Sequence, residues 1–240
     1  MVERRLSSHD AHARRCAPDD FWGQVRRTVG GRPVDEHQIT MIEDAIRAAL
    51  QIIANDVVLD LCCGNGALSN RIFACCRGGV GVDSSPFLID VARRHFERAA
   101  EHVYILGDIE DYVATSPDPH RFTKALCYGS LQYLSRQAAA STLRALRRRF
   151  SGVSRLLIGN LPDRALLAAF YRAPDYVPGI EDDCEAPLGI WRTTAEFARL
   201  AAATGWHAEF SRMPSSFYAA HYRYDAVLTP NPAFDRLTHR

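Results

Sequence analysis

The alternation of short apolar runs with helical stretches constrains this chain more than any other feature. Val57-Val58-Leu59, Val80 to Val82, Val103 to Leu106, Ala125 to Tyr128 and Leu156 to Ile158 each have the length and branched composition of a buried strand. Asp35 followed by Gln38 reads as a capping box, and the stripe Ile39, Ile42, Ile46, Ala49 and Ile53 behind it predicts an amphipathic helix. Ser84/Ser85-Pro86 opens a second helix, with proline suited to its first turn. Ser135 opens a third, with Ala139, Leu143, Leu146 and Phe150 on one face. Strands that alternate with helices need crossover connections, so the expected fold is α/β: a mostly parallel sheet with helices on both faces.

After Asn160 the rhythm breaks. Residues 161–192 hold a short apolar stretch, Ala165 to Tyr171, then a proline-bearing loop with Glu181, Asp182, Asp183 and Glu185, expected to be an exposed acidic segment. A Thr193/Glu196 capping box starts a last helix that Gly205 ends, and Trp206 to Met213 can pair with Tyr222 to Thr229 as two strands. No linker divides the chain, so one domain is expected over 1–240. Its parts are an N-terminal arm (1–34) able to act as a lid, a core (35–160), an inserted cap (161–192), the final helix and strand pair (193–229) and a tail (230–240). The first twenty residues are polar and aperiodic and are expected to be mobile. Arg147-Arg148-Arg149 reads as the solvated end of a helix, well placed against its dipole.

Charge and cysteine content narrow the function classes. Lys plus Arg number 29 against 28 Asp plus Glu, so a net +1 provides no field that would attract a polyanion, and no nucleic-acid partner is expected. No apolar run reaches the ~18 residues of a membrane span. Seven cysteines, two pairs of them direct neighbours (Cys62/Cys63 and Cys75/Cys76), have neither disulfide-framework nor zinc spacing, so reduced thiols, a cytoplasmic setting and no metal site are expected.

In a parallel sheet, ligands bind beyond the carboxyl ends of the strands. There the chain reads Asp60-Leu61-Cys62-Cys63-Gly64-Asn65-Gly66, a carboxylate followed by a turn whose glycines let a ligand approach the backbone. Asp83 ends the next strand, where an acid can accept bonds from both hydroxyls of a ribose. Gly64-x-Gly66-x-x-Ser69 is close to a dinucleotide fingerprint with its third glycine replaced, but a pyrophosphate would lie against Asp60. Two like charges at ~4 Å and an effective dielectric of about 20 repel by roughly 4 kcal/mol. An ammonium, a ribose diol and no phosphate suit these two acids better, and S-adenosylmethionine has all three properties. The alternatives are a nicotinamide- or flavin-binding oxidoreductase on a similar sheet and a non-catalytic cofactor-binding subunit.

Val57 to Gly66, Val82-Asp83-Ser84, Gly107-Asp108-Ile109 and the strand Ala125 to Tyr128 resemble motifs of the class I S-adenosylmethionine-dependent methyltransferases. The resemblance covers residues 35–160 well and extends more loosely to Thr229. It implies a Rossmann-like seven-stranded sheet whose last strand is antiparallel. It also implies that Asp60 lies near the methionyl amine, that Gly64 and Gly66 line the turn with Ser84 close by, that Asp83 binds the ribose, and that Asp108 and Ile109 hold the adenine. Cys62 stands where the family more often has glycine. Base-methylating relatives often carry Asp/Asn-Pro-Pro-aromatic where this chain has Cys127-Tyr128-Gly129-Ser130, which favours a small-molecule methyl acceptor, a sugar or specialised metabolite. The resemblance leaves room for a homodimer.

In-line transfer of an activated methyl requires alignment first, and a base mainly when the acceptor is a hydroxyl. His37, His221 and Tyr128 are the candidate bases, with Tyr128 also touching the cofactor at the fourth strand's end. His221 is expected to open the last strand, where Tyr222 and Tyr224 share one face and Arg223 and Asp225, expected to pair, share the other. Arg27, in the stretch Phe21 to Thr28 ahead of Gly30-Gly31, can meet the methionyl carboxylate. Tyr171, Tyr176, Trp191 and Tyr222 are the aromatic residues expected to wall an acceptor pocket.

Overall fold

The computed structural model describes residues 8–172 and 176–234. The first seven residues of the expected arm, three residues of the cap and the last six of the tail lie outside them.

Among the described residues the elements run in chain order as α1 (Ser8–Ala13), α2 (Phe21–Gln24), β1 (Thr28–Val29), β2 (Arg32–Pro33), α3 (Glu36–Leu50), β3 (Val57–Leu61), α4 (Ala67–Phe73), β4 (Gly78–Asp83), α5 (Pro86–Phe96), β5 (His102–Leu106) and α6 (Ile109–Thr115). There follow β6 (Lys124–Tyr128), α7 (Arg136–Arg149), β7 (Arg155–Pro162), α8 (Leu167–Phe170), α9 (Thr194–Ala203), β8 (Trp206–Ser211) and β9 (Arg223–Pro230). Seven strands form one sheet in the order β5-β4-β3-β6-β7-β9-β8. β3 to β7 pair in parallel, and β9 inserts antiparallel between β7 and the edge strand β8. This is the Rossmann-like sheet with an antiparallel last strand. Strand order reverses at β3 and β6, which opens a crevice beyond their carboxyl ends.

Alternation along the strands divides the core in two. Leu59, Leu61, Ala125, Cys127, Leu156 and Ile158 face α6, α7 and α9, while Val58, Leu126, Leu157 and Val227 face α3, α4 and α5. By the same alternation Asp60, Tyr128 and Asp225 all point to the α3/α4 face near the strand tips. Local sequence sets the helix starts: Ser85 Oγ accepts from Leu88 N, Ser135 Oγ from Ala138 N, and Thr193 and Glu196 complete both halves of their box. No helix of the described residues is long and apolar enough to cross a membrane.

Several expectations are corrected. The segment from Ser8 is an ordered helix whose Asp10 is 1% exposed, because its carboxylate accepts from Ser85 Oγ and from Phe87 N (3.2 Å), at the start of α5. Asp35 caps α3, but Gln38 does not close the box. Its side chain instead reaches Ser216 O (3.1 Å) and Tyr218 N (2.9 Å) on the other side of the fold. α3 stops at Gln51, in a left-handed conformation, so Ile53 leaves the stripe and is exposed. Of the three arginines ending α7, two are tied down: Arg147 Nε donates to Gly205 O, and Arg149 donates to Val113 O and Ser116 O. In the acidic cap segment Asp182, Asp183 and Glu185 are exposed as expected, whereas Glu181 is buried and accepts from Tyr176, Gly179 N and Arg164. β9 begins at Arg223, which leaves His221 exposed in the preceding turn. No Arg223–Asp225 ion pair forms; both residues bond the backbone of Asn160 instead.

Candidate functional site

The turn between β3 and α4 is built from unusual backbone. Cys62, Gly64 and Gly66 have φ of 60°, 61° and 77°. Left-handed backbone at all three positions folds the chain tightly and sets the Gly64 amide against Asp83. Cys62 bears the steric cost that a glycine would avoid, and its thiol pKa is pushed up by a hydrogen bond with Cys127 and by burial. Gly64 N donates to Asp83 Oδ2 and Ser85 N to Asp83 Oδ1, each at 2.9 Å. The Asp83 carboxylate therefore sits at the β4 tip, held by the backbone amides of Gly64 and Ser85, with Ser84 beside it. Burial raises its pKa even against those bonds.

Asp60 is 3% exposed at the end of β3, with Ser69 Oγ donating to its Oδ2 at 2.6 Å. Burial lifts its pKa to about 7, opposed by Ser69 and the Arg27 guanidinium and reinforced by Asp83. A buried carboxylate with one neutral donor is short of a cation.

The arm lies on this turn. Asn65 Nδ2 donates to Phe21 O (2.7 Å) and Gln24 Oε1 (2.9 Å), and the Val25 side chain covers Gly64 so closely that an added Cβ would meet it at 2.8 Å. The Phe21 ring packs on His95 and Phe96 of α5 at 5.2 and 5.1 Å. Arg27 stacks over Tyr128 at 5.3 Å and Trp22 at 5.9 Å, and its buried Nε has no hydrogen-bond partner. His9 meets Tyr133 at 4.7 Å, and Tyr133 Oη donates to Pro187 O, so arm and cap are joined through one tyrosine.

The structure brings Asp60, Cys62, Gly64, Gly66, Asp83 and Ser84 to adjacent strand tips, with Arg27 above them. Asp108 Oδ1 caps α6 by accepting from Glu110 N and Asp111 N, and Ile109 is buried beside it. Tyr128 is buried with its hydroxyl unpartnered, and burial holds its pKa well above the usual phenol range. Trp191 is 0% exposed, at 5.8 Å from both Tyr171 and Tyr222; Tyr176 contacts Tyr171 at 6.2 Å while its hydroxyl serves Glu181. His37 is exposed on α3, and His221 is exposed with its ring against Tyr222.

Sequence reading missed Asp10, Gln24, Asn65, Ser69 and Asn160, and it gave Asp225 a different partner. Ser69 carried a signal, as the residue in place of a third glycine, but its bond to Asp60 depends on α4 folding back over β3. The rest act across long separations that no local pattern encodes.

The sheet order, the left-handed turn and the carboxylates at two neighbouring strand tips define the class I methyltransferase fold. Residues 58–151 match the family model of a methyltransferase domain. A stretch of 78 residues is 32% identical to an uncharacterized methyltransferase of Schizosaccharomyces pombe; the match covers 32% of this chain and 27% of that protein. The magnesium protoporphyrin IX methyltransferase of Synechocystis PCC 6803, solved with S-adenosylhomocysteine bound, superposes with a TM-score of 0.61 at 16% identity, over 85% of this chain and 91% of its own. The pyocyanin biosynthetic protein PhzM gives 0.58 at 19% identity, over 80% of this chain and 55% of its own. Identities this low speak for the fold alone.

Proposed function

We propose that this chain is an S-adenosylmethionine-dependent methyltransferase that moves a methyl group to an oxygen or nitrogen of a small molecule. The observation that carries the reading is Asp60, a buried carboxylate short of a cation, one strand away from the buried Asp83 carboxylate at the β4 tip. An ammonium beside the first and a ribose diol on the second satisfy both acids, whereas a pyrophosphate would oppose them.

The sulfonium of the bound cofactor supplies an activated methyl group. The chain then has to bind, orient and exclude water. Asp60 would face the methionyl ammonium and the orphaned Arg27 Nε its carboxylate, which supplies each with the charge it lacks. Asp83 would take the ribose hydroxyls, and Asp108 with Ile109 the adenine. Cys62, Gly64, Gly66 and Ser84 form the turn that lets the ligand lie against backbone. Tyr128, kept protonated by burial and without a hydrogen-bond partner, would donate to a ligand rather than remove a proton, and Arg27 stacked on its ring would help to exclude water. Tyr171, Tyr176, Trp191 and Tyr222 would wall the acceptor side, with His221 at its rim.

Calorimetry with S-adenosylhomocysteine, NAD and FAD tests the reading. Binding of the first with no heat from the other two is expected; binding of NAD or FAD in its place would overturn it.

A further inference from the structure

The arm is fastened at three strand tips around the cofactor crevice. At the tip of β4, Ser85 N donates to Asp83 Oδ1 at 2.9 Å while Ser85 Oγ donates to Asp10 of α1, so one serine holds both the proposed ribose acid and the arm. On the turn after β3, Asn65 Nδ2 donates to Phe21 O at 2.7 Å and to Gln24 Oε1 at 2.9 Å. At the tip of β6, Arg27 stacks over Tyr128 at 5.3 Å. Val25 lies against Gly64, so access to that face of the glycine turn requires the arm to move.

The cap is fastened to the single 3₁₀ turn Leu131–Tyr133 that follows β6. Gln132 O accepts from Ile190 N at 2.8 Å, Gln132 Nε2 donates to Gly129 O at 2.8 Å, and Tyr133 Oη donates to Pro187 O at 3.0 Å. Arg136, at the start of α7, pairs with Asp182. The ring of Tyr133 is taken by the arm: His9 meets it edge-on, with 4.7 Å between centroids and 69° between planes. His9 and Asp10 are neighbours on one short helix, so a movement of α1 that breaks the contact with Ser85 breaks the contact with Tyr133 too.

We propose that the arm over the cofactor crevice and the cap over the acceptor side open as one unit, with Tyr133 as the link, its ring held by His9 and its hydroxyl by Pro187. Segments fastened by a few polar contacts open far more often than a whole domain unfolds, and those that share contacts open cooperatively. Such coupling is reciprocal: whatever loosens the arm loosens the cap, and a ligand that holds the arm shut holds the cap shut. The link stands on contacts within this chain. Its use, closing both sides of the reaction space together, rests on the methyltransferase reading.

Hydrogen exchange of the full chain tests the link as a double-mutant cycle. In the free protein, Asp10→Ala is expected to speed exchange about tenfold over residues 8–34 and about threefold or more over residues 176–190, with β3 and β4 unaffected. Tyr133→Phe keeps the ring against His9 and removes the bond to Pro187. In that background Asp10→Ala should still loosen the arm but change cap exchange by less than about 1.5-fold. Gln24→Ala, which takes away one acceptor of Asn65, loosens the arm at a second point and should give the same pattern. A cap that ignores both arm variants, an equal cap response with and without the Tyr133 hydroxyl, an arm that neither variant loosens, or acceleration that spreads equally to β3 and β4 would each overturn the link. S-adenosylhomocysteine should slow arm exchange in both the unaltered chain and Tyr133→Phe, but cap exchange in the unaltered chain alone, with calorimetric affinities within about threefold of each other. Cap protection that persists in Tyr133→Phe would also overturn the link. Absence of binding to the unaltered chain would instead overturn the cofactor assignment, and the cycle in the free protein would still decide the link.

Discussion

Gly64 N donates to Asp83 Oδ2 at 2.9 Å, which joins the turn after β3 to the tip of β4. The acid proposed to hold the ribose is thus also the group that fixes the turn, and both roles can be separated by experiment.

Asp83→Ala removes a charged acceptor from two ligand hydroxyls and two backbone amides. Charged hydrogen bonds contribute about 1.5–3 kcal/mol each, so S-adenosylhomocysteine affinity should fall about a hundredfold or more. Calorimetry reads the affinity and thermal unfolding reads the loss at the turn. An affinity equal to that of the unaltered chain would remove Asp83 from the site.

Asp10 accepts from Ser85 Oγ and Phe87 N, so it caps α5 from a distant part of the chain and holds the arm down. Asp10→Ala should cost about 0.5–2 kcal/mol, the usual cost of a lost cap. It should also speed hydrogen exchange over residues 8–34 far more than over β3 or β4. Uniform exchange rates across the chain would mean the arm is held elsewhere.

The glycines of the turn should respond differently. A Cβ at Gly66 would meet Tyr104 Cε1 at 2.7 Å and Ala92 Cβ at 2.9 Å, within packed core, and φ there is 77°. Gly66→Ala is expected to destabilise the domain by about 2 kcal/mol or more. At Gly64 the neighbour at 2.8 Å is Val25 of the arm, which can lift away. Gly64→Ala should therefore cost about 1 kcal/mol in denaturant unfolding and act mainly on the arm, exposing residues 21–27 to protease. Equal losses of stability would contradict this division.

The sheet and the two acids were legible in the sequence because strand runs, glycine turns and strand-tip carboxylates are local. Asp60 and Asp83 lie where the chain leaves β3 and β4, and no distant partner is needed to put them there. What could not be read acts over long separations. Asp10 looked like part of a polar arm because its partners, Ser85 and Phe87, follow some 75 residues later. Glu181 looked solvated because Tyr176 and Arg164 become its donors only when the cap folds back. Arg223 and Asp225 looked like a pair because strand alternation puts them on one face. The extra residue in β7 instead supplies an Asn160 carbonyl and amide that satisfy each separately.

Asp60 ties stability and binding to pH, and the sign follows from its raised pKa of about 7, against roughly 4 in an unfolded chain. Between those values the folded state holds the proton and the unfolded state does not. The contribution of this group is therefore full below about pH 4 and is lost as pH rises through about 7, by roughly 2–4 kcal/mol. Asp60→Asn should flatten that fall in denaturant melts at pH 5 to 8. An ammonium placed against the carboxylate reverses the preference, since it favours the ionised form. S-adenosylhomocysteine binding at pH 6.5 should then release roughly half a proton or more, seen as a dependence of the calorimetric heat on buffer ionisation enthalpy. Asp60→Asn should abolish both that dependence and most of the affinity. Binding that releases no proton would leave the ammonium somewhere other than beside Asp60.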